Sequence, residues 1–584
     1  MSEKSNFLKS AWLDDVDTCR RLIEAGADVT TLTDRFGATA LHYAARNLVH
    51  GKELVELFVS KGLCVEKRDR RGLLPLHDAL RSKNLEAAKE LLQHRRDKRK
   101  HRNLMHFSVT ENNLQFAQIV HKHDATLVRE IGHFGEKAHA DVHALSQGNG
   151  ASVLHCAAQN IRHGCELVKF FVVCGLDVNA RDKGDLTPLH HALKVENINV
   201  AQQLLDLGAD MKGNQNLLHF CIISGKLLSA KFMHGKDGEL VKRKSGGKNA
   251  LHLAAEFGQP EMSEWLIKDL GVNVLSLEEN NKNTVLHYAA RNKRHGSELV
   301  RYLNQCGIYV NALNAHQMTP LHFALGSGNV DAAQVLIELG ASWSRVEQSG
   351  RNLVHFCAQQ NQLHSLIFLH LQNCDLFTQK GPHGETALHF AARFADPDVC
   401  QWLVTKKGAD ASASCGGRSV LHFAATNKLH GKQLIRHFAS FKLNIDGKSC
   451  SGKTPLHFAL GCGNIAAAAE LLELGADFRV KIGGGFNLLH FCVAEKRLDS
   501  AKFVHEKDEG MIHELGRGRE SSLHIAAKGG DLEVCRWVVQ QGVDVHARNA
   551  EGKSAFDYVA SRDLKQFFYC LGKRTLHDAD LNLC

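Results

Sequence analysis

Histidine and cysteine supply most of the side chains in this sequence that could carry chemistry. The chain has 37 histidines and 17 cysteines, and Cys221, Cys357 and Cys492 each follow a histidine by two residues. A zinc site would need four such ligands within about 2.0–2.3 Å of the metal. The recurrence of these residue types therefore raises the hypothesis of a metal site, which depends on how the histidines are spaced.

Fifteen of the histidines recur along the chain, and most of the intervals between them are 33 to 35 residues. Such a period predicts stacked units, each of which buries its apolar face only against its neighbours. Helices of neighbouring units pack about 8–10 Å apart, so equivalent histidines are too far apart to share a metal ion. We predict no metal or cofactor and instead buried hydrogen-bonding residues at helix starts. These residues are His42, His77, His106, His155, His190, His219, His252, His287, His322, His355, His389, His422, His457, His490 and His524.

The residues around each motif histidine mark where helices begin and end. Thr187 suits a helix N-cap, because its hydroxyl can accept a hydrogen bond from the first turn, and Pro188 suits the next position, where no amide donor is needed. The second helix of the same unit ends before Gly208, which can adopt the left-handed conformation that closes a helix. The pattern predicts a pair of short helices in each unit.

This arrangement resembles the signature of the ankyrin repeat family. The closest matches are Thr187 to His190 with Ala192, Thr319 to His322 with Ala324, and Thr454 to His457 with Ala459. The resemblance implies an all-α dominated repeat solenoid, whose units consist of helix, turn, helix and β-hairpin finger. It implies about 15 clear repeats between degenerate end caps, with partners bound on the concave face formed by fingers and inner helices.

Four subtypes of unit alternate along the chain. Subtype A has an Asn-x-x-His-Gly segment, as at Asn427; subtype B has Pro-Leu-His; subtype C has Asn-Leu-x-His-Phe, with Val or Met in places; and subtype D has a tryptophan in its second helix. The Asn-x-x-His-Gly segment could be a ligand site present four times or a turn that lengthens the loop between two helices. The turn chemistry of Asn and Gly favours the second interpretation.

Irregularities in the repeat predict four segments. Residues 1–124 form an N-terminal cap and a first block, 125–150 an irregular joint or hinge with a degenerate repeat, 151–560 the main array, and 561–584 a C-terminal capping helix and tail. The joint is predicted because the Leu-His signature is lost there, between motif histidines that lie 49 residues apart.

Composition and motifs exclude several function classes. The sequence has no P-loop, dinucleotide-binding glycine turn, zinc-protease helix motif or kinase signature, so we expect it not to be an enzyme. Its apolar stretches fall short of the ~20 residues of a membrane span, and its cysteines are not spaced as a disulfide framework. These features predict a monomeric cytoplasmic protein, with the nucleus as a second location.

Binding to macromolecules is the function that remains. The leading hypothesis is a scaffold or adaptor for one or more proteins, and the alternative is a nuclear regulator or nucleic-acid-associated binder that uses the basic segment 94–102. The net charge of +9 permits acidic partners without requiring nucleic acid. A solvated finger without a specific role also fits this segment, and it lacks interleaved aromatic residues. Its basic residues are Arg95, Arg96, Lys98, Arg99, Lys100 and Arg102.

The tips of the predicted fingers differ from block to block, whereas the framework recurs. A reader of one repeated ligand would keep its contact residues alike in every copy. Divergent tips therefore predict distinct contacts along one varied surface. The tip residues that we predict to contact a partner are Arg35, Phe36, Arg70, Arg71, Lys183, Asp185, His316 and Gln317.

Overall fold

The chain folds into pairs of short helices. A computed structural model describes residues 3–94, 104–111, 113–123, 150–211, 216–569 and 571, which belong to two compact units, Met1–Val272 and Asn273–Cys584. The helices of the first unit are α1 Glu3–Leu13, α2 Val16–Glu24, α3 Ala40–Arg46, α4 Gly51–Ser60, α5 Pro75–Arg81, α6 Leu85–Gln93, α7 Leu104–Thr110, α8 Leu114–His123, α9 Val153–Gln159, α10 Gly164–Val173, α11 Pro188–Lys194, α12 Ile198–Asp206, α13 Leu217–Ile223, α14 Leu227–Lys236, α15 Ala250–Phe257 and α16 Pro260–Lys268. Those of the second unit are α17 Val285–Arg291, α18 Gly296–Gln305, α19 Pro320–Gly326, α20 Val330–Glu338, α21 Leu353–Gln359, α22 Leu363–Gln372, α23 Ala387–Phe394, α24 Pro397–Lys407, α25 Val420–Thr426, α26 Gly431–Ala439, α27 Pro455–Cys462, α28 Ile465–Glu473, α29 Leu488–Ala494, α30 Leu498–Lys507, α31 Ser522–Gly529 and α32 Leu532–Gln540.

Within each compact unit the helices stack in two layers. The first helix of each pair, here called the inner helix, packs on the inner helix of the next pair, as α17 does on α19. The second or outer helices form the other layer, and Leu321 and Leu336 of one pair are fully buried between the layers. This architecture confirms the predicted all-α dominated repeat solenoid.

The fingers contain little regular strand. Among the described residues, strand pairing is confined to β1 Ser414–Cys415, antiparallel to β2 Arg418–Ser419, and to isolated bridges. Elsewhere the fingers are tight turns that hydrogen-bond to one another, as where the N–H of Arg70 donates to the carbonyl of Phe36 at 2.7 Å. Neighbouring tips are therefore fixed relative to each other by main-chain bonds rather than by sheet.

The motif histidines close the start of each inner helix. The N–H of Thr187 donates to Nδ1 of His190 at 3.2 Å, and its hydroxyl lies 2.9 Å from the same nitrogen. Because Nδ1 accepts, the proton of the neutral ring is on Nε2, which in His155 lies 3.0 Å from the carbonyl of Leu186 in the next finger.

The prediction of hydrogen-bonding histidines at helix starts is confirmed for the repeats that have this contact. It is wrong for His219 and His355, whose ring nitrogens have no hydrogen-bond partner among the described residues. Asn216 and Asn352 cap those two helices instead.

The Asn-x-x-His-Gly segment is a turn that also joins two units. The side-chain oxygen of Asn427 accepts hydrogen bonds from the N–H groups of Leu429 and His430 at 3.2 and 3.0 Å. The amide of Asn464, which caps α28 in the next unit, donates to the carbonyl of Asn427 at 2.8 Å. Gly431 starts α26 at this junction, and a Cβ there would lie 2.7 Å from the amide nitrogen of Asn464. The interpretation as turn chemistry is confirmed.

We expect Gly431→Ala to lower the free energy of unfolding by about 1–3 kcal/mol, which is typical of overpacking. The added methyl group would also lie 2.8 Å from the carbonyl oxygen of Ala424, so two polar partners would have to move. Urea denaturation measures the loss. The matched control is Gly483→Ala, because no atom lies within 4 Å of a Cβ at that position; equal effects of the two substitutions would contradict the close approach.

Three predicted features remain outside or at the edge of the described residues. The basic residues Arg95, Arg96, Lys98, Arg99, Lys100 and Arg102 lie outside them, as does the predicted joint except for Gly150. Near the C-terminus, Asp557 replaces the motif histidine and accepts from both the N–H and the hydroxyl of Ser554, at 2.7 and 2.9 Å. The degenerate unit thus keeps the local hydrogen bonding of a regular one.

Candidate functional site

An aromatic side chain follows the motif histidine in most inner helices of the second compact unit. The position is buried or partly exposed in each of these repeats, and in none of them is it fully exposed. Phe390, Phe423 and Phe491 are 5–8% exposed, and the other rings are of intermediate exposure. We call this row the aromatic stripe; it consists of Phe323, Phe356, Phe390, Phe423, Phe458 and Phe491.

Each ring of the aromatic stripe packs edge-on against the motif histidine of the preceding repeat. The centroids lie 5.0–5.6 Å apart and the ring planes are inclined by 70–89°. This is a favoured geometry for aromatic pairs. In subtype B the stripe is accommodated by glycine, since a Cβ at Gly326 would lie 2.7 Å from a ring carbon of Phe356. Each ring of the stripe is therefore packed in place by residues of the stack itself.

Cationic side chains lie over several rings of the aromatic stripe. Arg351 is 4.9 Å from the centroid of Phe390, Arg418 is 5.2 Å from that of Phe423, and Lys453 is 4.7 Å from that of Phe491. Lys453 also pairs with a glutamate at 3.2 Å and keeps a third of its side chain exposed. A partner that contacts this face meets apolar ring edges beneath positive charges, a combination suited to an acidic and apolar segment.

Burial keeps the histidines under the aromatic stripe neutral. It lowers the pKa of His322 to about 4, helped by the nearby His287, and that of His457 to about 4, helped by Lys453 and Lys448. A neutral ring can accept the main-chain N–H at Nδ1 and present its edge to the next phenylalanine. The histidines are thus part of the support of the surface and are not exposed to a partner.

In the first compact unit, four of the predicted tip residues form one cluster. The guanidinium of Arg35 lies 4.6 Å from the ring centroid of Phe36, and that of Arg71 lies 5.9 Å from the same ring. Phe36 is 44% exposed, and its carbonyl accepts the N–H of Arg70. The structure therefore brings Arg35, Phe36, Arg70 and Arg71 together on two adjacent tips.

The other predicted tip residues lie on separate fingers. Asp185 accepts a hydrogen bond from Arg181 at 2.6 Å within its own turn, next to the exposed Lys183. In the second compact unit, His316 lies 3.2 Å from the side-chain oxygen of Asn281 and is followed by Gln317, whose φ is 60°. Lys183, Asp185, His316 and Gln317 are all exposed.

Sequence reasoning did not predict the aromatic stripe. The signal is in the sequence, because the residue after the motif histidine is phenylalanine in six successive repeats, but among the four subtype patterns only that of subtype C includes it. Among the described residues, no three histidine, cysteine, aspartate or glutamate side chains are grouped as metal ligands. In the same part of the chain, no helix is both long and apolar enough to cross a bilayer.

Comparisons with known proteins agree with the repeat architecture. A family model described as "Ankyrin repeats (3 copies)" matches residues 8–103, 105–215, 196–276, 218–314, 271–347, 354–437 and 413–482, and one described as "Ankyrin repeats (many copies)" matches 523–571.

Similar curated proteins are longer than this chain. The human transient receptor potential cation channel subfamily A member 1 is 24% identical over 80% of this chain and 39% of its own length. The putative palmitoyltransferase ZDHHC13 of Danio rerio is 31% identical over 35% of this chain and 32% of its own length. The chain thus spans less than two fifths of the length of either relative.

Proposed function

Because the chain belongs to the ankyrin repeat family, whose repeats bind other proteins, we propose that it is a non-enzymatic scaffold or adaptor. The observation that carries the proposal is the aromatic stripe with its cations. Phe323, Phe356 and Phe458 are partly exposed. Arg351, Arg418 and Lys453 lie over the other three rings. The stripe is preorganised, since each ring packs on a buried histidine, and binding therefore costs little side-chain entropy.

The proposed partner of the second compact unit is a protein with an acidic and apolar segment. Tyr, Phe and Arg side chains are enriched at the centres of protein interfaces, where Lys is depleted. The divergent tips add contacts that differ from repeat to repeat, so they set which partner binds. The chain needs no catalytic group for this role.

Affinity capture with the intact chain tests the proposal. We expect the double variant Arg418→Glu and Lys453→Glu to capture at least tenfold less partner protein than the unchanged chain. The reason is that both positive charges lie over rings of the aromatic stripe. Quantitative mass spectrometry measures the loss. The control variant Lys406→Glu and Lys502→Glu makes the same charge change at exposed positions of the outer helices α24 and α30 and should capture as much as the unchanged chain. Equal capture by both variants would contradict the proposed surface.

A further inference from the structure

A cavity of about 390 Å³ opens among the inner helices of the first compact unit. It lies in the repeat where Asp78 follows the motif histidine, the position that phenylalanine occupies in the aromatic stripe. The smaller side chain leaves space that a ring fills elsewhere. We call this cavity the arginine pocket; its lining residues are Trp12, Arg46, Arg71, Asp78, Arg81 and Ser82.

Asp78 is buried in the wall of the arginine pocket with one oxygen unsatisfied. Its side chain is 3% exposed, and Oδ1 accepts a hydrogen bond from Arg46 at 2.9 Å. Oδ2 has no hydrogen-bond partner in the described part of the chain. A buried carboxylate oxygen without a donor is costly, so a ligand that supplies an N–H at this point would be stabilised.

Three guanidinium groups share the arginine pocket with this carboxylate. Arg71 donates through Nε to Asp69 at 2.9 Å, and Arg81 donates through Nε to Glu111 at 3.2 Å. Their side chains are 38% and 39% exposed, and a guanidinium carries five N–H donors, of which each of these bonds uses one. Each of these two guanidinium groups is therefore held by a carboxylate and keeps N–H donors that this bond does not use.

We propose that the arginine pocket binds a carboxylate group of a partner peptide. Arg71 and Arg81 hold the carboxylate, Oδ2 of Asp78 accepts the adjacent peptide N–H, and Trp12, which is 47% exposed, packs against an apolar side chain. A phosphate dianion fits less well, because its second negative charge adds to the repulsion that Asp78 exerts on any anion in the cavity. The inference rests on the proposed protein-binding function and names the partner chemistry at one end of the surface.

Small probes test each contact separately in the full-length chain labelled with 5-fluorotryptophan. N-acetylphenylalanine carries the carboxylate, the N–H and an aromatic ring; N-acetylphenylalanine amide lacks the carboxylate, and N-acetyl-N-methylphenylalanine lacks the N–H. We expect a saturable shift of the Trp12 fluorine resonance, assigned with Trp12→Phe, for the first probe. The dissociation constants of the other two should be at least tenfold higher.

Variants connect these differences to named side chains. Arg81→Leu should raise the dissociation constant of N-acetylphenylalanine at least tenfold. Arg20→Gln, on the outer helix α2, should leave this constant unchanged. Asp78→Asn should remove the preference for the N–H probe over the N-methyl probe while keeping the preference for the carboxylate. A Trp12 resonance unmoved by N-acetylphenylalanine, or equal binding of all three probes, would overturn the proposal.

Two further probes identify the source of the carboxylate. N-acetylglutamic acid α-amide binding as tightly as N-acetylphenylalanine would assign an acidic side chain, and weaker binding would assign a chain terminus. Inorganic phosphate and acetate are then compared as competitors of N-acetylphenylalanine. If phosphate displaces it at a lower concentration than acetate does, the choice of a carboxylate as the ligand is overturned. Failure here is separable from failure of the proposed function, because the capture experiment changes residues of the second compact unit only.

Discussion

Acidification from pH 7 to 4.5 is expected to remove most of the stability of the second compact unit. Burial lowers the pKa of five of its motif histidines to about 4, below the 6.5 of an exposed ring. The unfolded chain therefore binds more protons than the folded chain between these values, and stability is lost as the pH falls through this window. These residues are His322, His355, His422, His457 and His490.

The expected loss for the five histidines together, about 12 kcal/mol, is comparable with the whole stability of an ordinary domain. A histidine with a folded pKa of about 4 loses about 2.5 kcal/mol by pH 4.5, while domains are stable by about 5–15 kcal/mol in total. Several such residues acting together should bring the urea concentration at the midpoint of unfolding close to zero at pH 4.5. Circular dichroism during urea titrations at successive pH values measures this loss.

Histidines and carboxylates lose their contributions to stability in different pH ranges, so the pH of the loss tells them apart. Hydrogen bonds from Ser412 hold the pKa of Asp410 below its ordinary range. Burial alone would raise the pKa of Glu514, but hydrogen bonds from Lys481 and Asn487 outweigh burial and lower it. Their contributions are therefore lost only below about pH 4.5. The variant His457→Gln should start less stable at pH 7 but lose about 2.5 kcal/mol less on acidification. A urea midpoint that stays constant down to pH 4.5 would contradict this account.

The local part of this fold could be predicted because its chemistry is close in sequence. Thr187, Pro188 and His190 lie within one turn of each other, so their roles at the start of α11 follow from hydrogen bonding between near neighbours. The repeat period then implies the stack. The same reasoning explains why the Asn-x-x-His-Gly segment could be recognised as a turn.

The surface could not be predicted in the same way, because its contacts join residues of different repeats. Phe356 packs on His322, which lies 34 residues earlier, and the pairing is visible only once the inner helices are stacked. The arginine pocket needs a further step, since Asp78 has no sequence signal of burial. Asp78 is 3% exposed and pairs with Arg46, a residue of the preceding repeat.

The contact between repeats of subtypes A and B also joins residues far apart in sequence, because Asn464 of one repeat bonds to the main chain of the repeat before it. We expect Asn464→Asp to break this contact. Asn464 is 6% exposed, and its amide donates to the carbonyls of Asn427 and Ala425 at 2.8 and 3.1 Å. Aspartate caps helices as well as asparagine does, so the cap of α28 should survive. A carboxylate oxygen would instead face two carbonyl oxygens, and an uncompensated buried charge costs about 3–5 kcal/mol.

Asp531→Asn is the matched control for that substitution. Asp531 caps the outer helix α32 by accepting from the N–H groups of Glu533 and Val534 at 3.0 and 3.2 Å, which asparagine can also do. We expect a change within about 0.5 kcal/mol for the control and a loss of at least 3 kcal/mol at pH 7 for Asn464→Asp, both measured by urea denaturation.

The place of the damage distinguishes a broken contact from general instability. In a repeat stack, each unit is stabilised mainly by its nearest neighbours, so Asn464→Asp should raise amide hydrogen exchange first in α26 and α28, the outer helices on either side of the contact. Faster exchange there, with α20 unchanged, is the expected pattern. Exchange that rises equally in all three helices would show that Asn464 contributes to stability without joining these two repeats in particular.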